Sequence, residues 1–216
     1  AMSEGVDLLV EKVGNRAGRA VLCASGVALL LVFGAVTCDR IPDWKDEPTL
    51  FKSSLRSHPG NPYALCSLGA MAAQQWKLDE AEPLLLESLK NRSDAWRTHS
   101  ALCFLYLRRG KLETAERYCR SSLALNAKNP RSWVNLASIH VNASRWSSAL
   151  EEADRALVLK PRYAEGYYLR AVSLANLGRL TEAEEALRRA LSIEPEHPGA
   201  RDLARQFRSC KASPAR

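Results

Sequence analysis

The sequence predicts an all-α chain in which a superhelical α-solenoid of antiparallel helix pairs follows one transmembrane helix. Three observations carry that expectation. A 34-residue period runs without an insertion from residue 62 to residue 197, small residues recur at fixed places within it, and an uncharged run stands at 20–38. A period of that length is the mark of stacked helix pairs, each burying its apolar face against its neighbours.

Taken in chain order, residues 1–19 form a juxtamembrane segment that opens with alanine ahead of Met2, which points to a piece of something longer. From Ala20 to Cys38 the run AVLCASGVALLLVFGAVTC carries no charge, and as a helix it would span about 28 Å, enough to cross a bilayer. Lys12, Arg16 and Arg19 precede it, whereas Asp39, Arg40, Asp43, Lys45, Asp46 and Glu47 follow. That asymmetry puts the N-terminus in the cytosol and the repeats in a lumen or outside the cell. A cleaved signal peptide and a bacterial lipid anchor at Cys38 compete with a retained helix.

Residues 39–61 are expected to be a junction holding half a repeat, with Trp44 to Ser57 as a lone second helix in register: Phe51 at position 24, Ser54 at 27, Pro59 at 32. Four full units then run 62–95, 96–129, 130–163 and 164–197. Their eighth residues are Gly69, Cys103, Ala137 and Ala171, their twentieth Ala81, Ala115, Ala149 and Ala183, and their twenty-seventh Ser88, Ser122, Ala156 and Ala190. Helices with axes roughly 8–10 Å apart need small side chains where they cross. Larger apolar residues such as Leu68, Leu102 and Leu136 fill the space around them. Gly110, Ser144 and Gly178 mark the turns; Trp76 replaces the glycine in the first unit, Arg170 stands where leucine is usual, and Pro83 is expected within the first turn of its helix. In the closing segment 198–216, a capping helix puts Ala200, Leu203, Ala204 and Phe207 on one face and Arg201, Arg205 and Arg208 on the other, before a basic tail.

The net charge of +7 lies entirely in the repeats: residues 62–216 hold 24 basic and 17 acidic side chains. The arginines recur singly at helical spacing without interleaved aromatics, which argues against nucleic acid. Six cysteines form no CxxC pair, so no metal site is expected, and Cys66, Cys103 and Cys119 fall on interhelical positions that predict buried free thiols. The compartment's redox state is left open.

Unit length and the small residues at 8, 20 and 27 resemble the tetratricopeptide repeat (TPR). The resemblance implies a protein-binding groove lined by first helices, with Tyr63, Gln74, Arg97, Phe104, Arg108, Arg131, Val134, Asn135, Tyr168 and Asn176 on its surface. An extended peptide would lay apolar side chains on Phe104, Val134 and Tyr168 and acidic groups near Arg97, Arg108 or Arg131. The lysine and asparagines of the chaperone-type carboxylate clamp are missing, Cys66, Ser100 and Val134 standing at position 5.

The segment DWKDEPTLFKSSLRSHPGNPYALCSLG, through Trp44, Glu47, Leu50, Phe51, Leu55, Pro59 and Asn61, is similar to the junction between the last membrane helix and the first repeat in the transmembrane and TPR-containing O-mannosyltransferases. That likeness implies an endoplasmic reticulum protein with luminal repeats, the recognition arm of an enzyme whose catalytic domain lies outside this chain. A stand-alone single-pass or lipid-anchored scaffold, in another membrane or a bacterial envelope, is the alternative. Sequons at Asn91 and Asn142 agree with a luminal face. Within the chain His58, His99, His140 and His197 are scattered, there is no HExxH and no glycine-rich phosphate loop, and so no catalytic residue, cofactor or metal is expected.

Overall fold

The computed structural model describes residues 16–40, 46–92 and 95–212; of 16–20, 22, 35–40 and 210–212 only the helical backbone is described. Trp44, Ser93 of the first sequon, most of segment 1–19 and the last four residues lie outside the described set. The chain divides into two units, residues 1–53 and 54–216.

In the first unit, helix α1 (Arg16–Arg40) contains the whole uncharged run. Its described side chains, Val21 and residues 23–34, are exposed on every face, Leu30 at 72% and Phe33 at 62% among them. Among the described residues no helix is long and apolar enough to cross a membrane. Those side chains cover only part of 20–38, and the rest of that expectation lies outside them. Helix α2 (Glu47–Ser57) begins in this unit, with Thr49 N–H donating to the Asp46 side chain.

The second unit is built of helix pairs in the predicted register: α3 (Pro62–Gln74) with α4 (Leu78–Asn91), α5 (Trp96–Arg108) with α6 (Leu112–Leu125), α7 (Pro130–Asn142) with α8 (Trp146–Leu159), and α9 (Ala164–Asn176) with α10 (Leu180–Ile193). Helix α11 (Pro198–Ala212) packs on α10 and α9 through Leu203, Ala204 and Phe207, as a cap should. Helices α3 and α7 start with proline at the first helical position behind an asparagine cap, Asn61 accepting from Tyr63 and Ala64 N–H and Asn129 from Arg131 N–H. Pro83 corrects one expectation. It is the sixth helical residue of α4, beyond the first turn, and the helix continues through it.

The four turns inside the pairs need a left-handed residue at position 15. Gly110 (φ +71°) and Gly178 (φ +78°) supply it freely, while Trp76 (φ +63°) and Ser144 (φ +56°) do so against Cβ repulsion of roughly 1–2 kcal/mol each.

Inside each pair, position 8 meets position 24. A Cβ on Gly69 would stand 2.7 Å from Leu85 Cγ, and Leu85 is fully buried, so only glycine fits. In the second pair both positions are cysteine, and Cys103 is disulfide-bonded to Cys119 with Cα atoms 5.1 Å apart. This corrects the expectation of free thiols there; Cys66 is free and buried. The sequence placed each cysteine on an interhelical face but did not pair them, because contact between positions sixteen residues apart exists only once the helices cross.

Between pairs the seam changes character along the stack. Ser88 Oγ donates to Pro62 O (2.8 Å) and lies 3.0 Å from Thr98 Oγ1; Ser122 Oγ donates to Trp96 O (2.9 Å) and lies 2.8 Å from Ser132 Oγ, itself bonded to Ser100 and Asn129. Further along, Ala156 and Ala190 occupy the same position, and the seam is apolar. Arg170, in the leucine position, turns its guanidinium to Asp154 (2.8 Å).

Candidate functional site

The first helices α3, α5, α7 and α9 lie side by side because each is covered on its outer side by its own second helix. Their uncovered faces enclose a groove of about 960 Å³. Of the ten groove residues expected from the sequence, Gln74, Arg97, Phe104, Arg108, Arg131, Val134 and Asn135 line it. Tyr63, Tyr168 and Asn176 do not.

The physical reasons differ. Tyr63 is engaged by Arg92, which donates to its hydroxyl at 2.5 Å. The Tyr168 ring packs against His197, 5.1 Å between centroids, and fills the space beside Gly199 of the capping helix. Asn176 donates back to Val172 O, the same bond that Asn142 makes to Ser138 O, so its place outside the groove lining follows from its position in the last pair and not from that bond. Position in the repeat could not reveal the first two, since each partner comes from a helix end or from the cap.

Two aromatic residues that repeat position did not mark, Trp76 and Trp96, line the groove. Each holds an arginine: Arg108 lies over Trp76 (3.8 Å to the ring centroid) and Phe104 (5.1 Å), and Arg97 over Trp96 (4.5 Å). Among the described residues Arg97, Arg108 and Arg131 have no carboxylate partner, and the one carboxylate lining the groove, Glu165, is taken by His197 at 2.8 Å. The groove is thus positive. Asn135, 6% exposed, leaves its Nδ2 without an acceptor, and Arg108 Nε is likewise buried and unpaired. Burial pushes the Cys66 thiol up, against the weaker pulls of Thr98 and Arg97.

Asn142 also lines the groove, and its Nδ2 donates to Ser138 O (2.8 Å). Asn91 donates to Gly60 O (2.9 Å). Among the described residues no three His, Cys, Asp or Glu side chains could hold a metal ion.

The arrangement offers stacked cations, apolar patches and one free amide donor, which together suit an extended acidic polypeptide. Tetratricopeptide-repeat profiles match residues 105–161 and 136–208. The helix pairs are tetratricopeptide repeats. Among curated proteins, this TPR chain is 35% identical over 89 residues to sperm-associated antigen 1 of Mus musculus, covering 41% of the chain and 9% of that protein. It is 29% identical over 128 residues to protein O-mannosyl-transferase TMTC3 of Homo sapiens, covering 58% of the chain and 14% of that protein. The chain therefore spans well under a fifth of these relatives' length. Among solved structures, the first TPR of Spaghetti (RPAP3) bound to the HSP90 peptide SRMEEVD superposes with a TM-score of 0.51 at 23% identity, covering 55% of this chain and 94% of that one.

Proposed function

We propose that this TPR chain is a membrane-anchored recognition module whose groove holds an extended protein segment, and that it serves as the luminal arm of a TMTC-like O-mannosyltransferase. The single observation behind the binding reading is the groove itself: three guanidiniums without carboxylate partners beside exposed aromatic surface. A repeat of the same fold holding an acidic peptide supports a peptide-class occupant.

Three observations support the membrane and luminal parts. Helix α1 leaves its described apolar side chains exposed on every face, an arrangement that water disfavours and lipid favours. The Cys103–Cys119 bond belongs in an oxidising compartment. Likeness to TMTC3 extends over 58% of the chain and complements the junction from Glu47 to Asn61. The Asn91-Arg92-Ser93 sequon fits the same side of the membrane. The catalytic domain of the proposed enzyme would lie outside this chain.

A stand-alone scaffold is the second reading, favoured by the comparably strong likeness to a relative of unrelated name, sperm-associated antigen 1. Both readings predict binding at the groove. Charge reversal of Arg97, Arg108 and Arg131 together is expected to weaken binding of a fluorescein-labelled Glu- and Leu-containing dodecapeptide by at least tenfold, read by anisotropy, with the helical circular dichroism unchanged. Unaltered affinity would move the site off the groove.

A further inference from the structure

Position 15 of every pair requires a left-handed backbone, and glycine fills it in two of the four turns. The first pair puts tryptophan there, the side chain with most to lose. The Trp76 ring does not go into the core: it is 60% exposed, with one face on the Arg108 guanidinium at 3.8 Å and the rest open to the groove. Arg108 is in turn backed by Phe104, and its Nε is buried with no acceptor. The Arg108 guanidinium is thus held over two rings where they line the groove. Stacking leaves the in-plane N–H edge of a guanidinium available, the edge that pairs with a carboxylate.

Resting on the peptide-groove reading, we propose that Trp76 is a specificity-determining residue: it orients Arg108 for an acidic side chain of the bound segment, and its open face takes an adjacent aromatic or apolar side chain. The occupant is an internal stretch of a partner protein rather than a chain terminus. Cys66, Ser100 and Val134 stand in the groove where a terminal-carboxylate clamp would place its lysine, and Arg97, Arg108 and Arg131 instead spread positive charge along two repeats. Glu165, the groove's own carboxylate, is occupied by His197 and does not compete.

The test uses the full chain in detergent micelles and fluorescein-labelled dodecapeptides carrying a Glu-Phe pair, a Gln-Phe pair or a Glu-Ala pair, each with an amidated and a free C-terminus. Wild type is expected to prefer Glu-Phe over Gln-Phe and over Glu-Ala by at least fivefold, with amidation without effect. Trp76→Gly should abolish both preferences while leaving the melting temperature unchanged or raised, because glycine relieves the turn. Ser144→Gly, the matching change in the third pair, should leave both preferences intact when both proteins are unglycosylated, since Ser144 also belongs to the Asn142 sequon.

Retention of both preferences by Trp76→Gly would overturn the assignment even if Arg97→Glu and Arg131→Glu weaken binding, which would leave the groove reading standing. Loss of binding on amidation would assign the site to a chain terminus and also overturn it. No measurable binding of the Glu-Phe peptide would remove the groove reading and this proposal together.

Discussion

At the scale of single residues, two buried titratable groups, His140 and Glu152, approach each other in the stack. His140 Nδ1 lies 2.7 Å from Glu152 Oε2, and its Nε2 faces Glu116 at 3.6 Å, a carboxylate already bonded to Arg120 and met by Arg145. Burial pushes Glu152 up to about 7; Arg120 and Arg155 pull against it, and Glu116 and Glu151 add to the rise. Burial lowers His140, against the attraction of Glu116. A carboxyl whose folded pKa is raised contributes stability that is present below its unfolded pKa and lost as pH rises through the folded one. A histidine whose pKa is lowered works the other way, destabilising the fold in acid. Comparing wild type with Glu152→Gln cancels most of the histidine effect. The stability of wild type relative to Glu152→Gln should therefore fall by roughly 1–3 kcal/mol between pH 4.5 and pH 7.5, measured by urea unfolding. A difference that stays constant over that range would refute the assignment.

The same positions show what a repeat register conveys at this scale. Position 11 of one pair reaches position 21 of the pair before it: Tyr106 donates to Glu82 at 2.6 Å, and His140 faces Glu116. In the last step Leu174 and Leu150 take those places within one apolar cluster. The period announces that these positions meet, and residue identity then selects hydrogen bond, ion contact or apolar packing. Arg109 extends the first of these contacts to Glu82 and Asp79, with Tyr106 held above its ordinary value, at about 12, by burial and by Glu82.

At the scale of elements, the second helix pair is distinguished by its covalent link. Cys103 on α5 and Cys119 on α6 close a short loop around the turn at Gly110, and such a loop contributes about 2–4 kcal/mol by restricting the unfolded chain. Reduction, or the double change Cys103→Ala and Cys119→Ala, should lower unfolding free energy by about that much. Because both residues are buried, the test is alkylation in denaturant without reductant: mass spectrometry should find both unmodified, and labelling of either would contradict the bond. The pairs themselves were legible in the sequence because amphipathic period, turn residue and crossing residue all repeat locally. The continuation of α4 through Pro83 was not, since the helix is held by Ala81, Leu85 and Ser88 packing into the core rather than by local propensity.

At the scale of the whole molecule, the proposed luminal placement of the repeats carries its own prediction. If they are luminal, protease added to sealed microsomes should spare the repeats, and endoglycosidase should shift the mass through Asn91 or Asn142. Digestion in sealed vesicles would remove the mannosyltransferase-arm reading while leaving the groove in place. Because Asn142 lines the groove, a glycan there would occupy space that a peptide needs, so modification at Asn91 is the outcome most compatible with binding.

The sequence alone determined the register: four full pairs with a capping helix after them, and positive charge concentrated in the repeats. Those properties are written in spacing and composition, which any stretch of chain carries with it. Tertiary structure decided that Cys103 bonds Cys119, that Tyr168 serves the cap instead of the groove, and that the Arg108 guanidinium lies over both Trp76 and Phe104. Each joins residues from different helices or turns, and which side chains meet depends on how far one pair is rotated against the next. A period states that the pairs stack, but the angle between them comes only from packing the particular side chains at their seams.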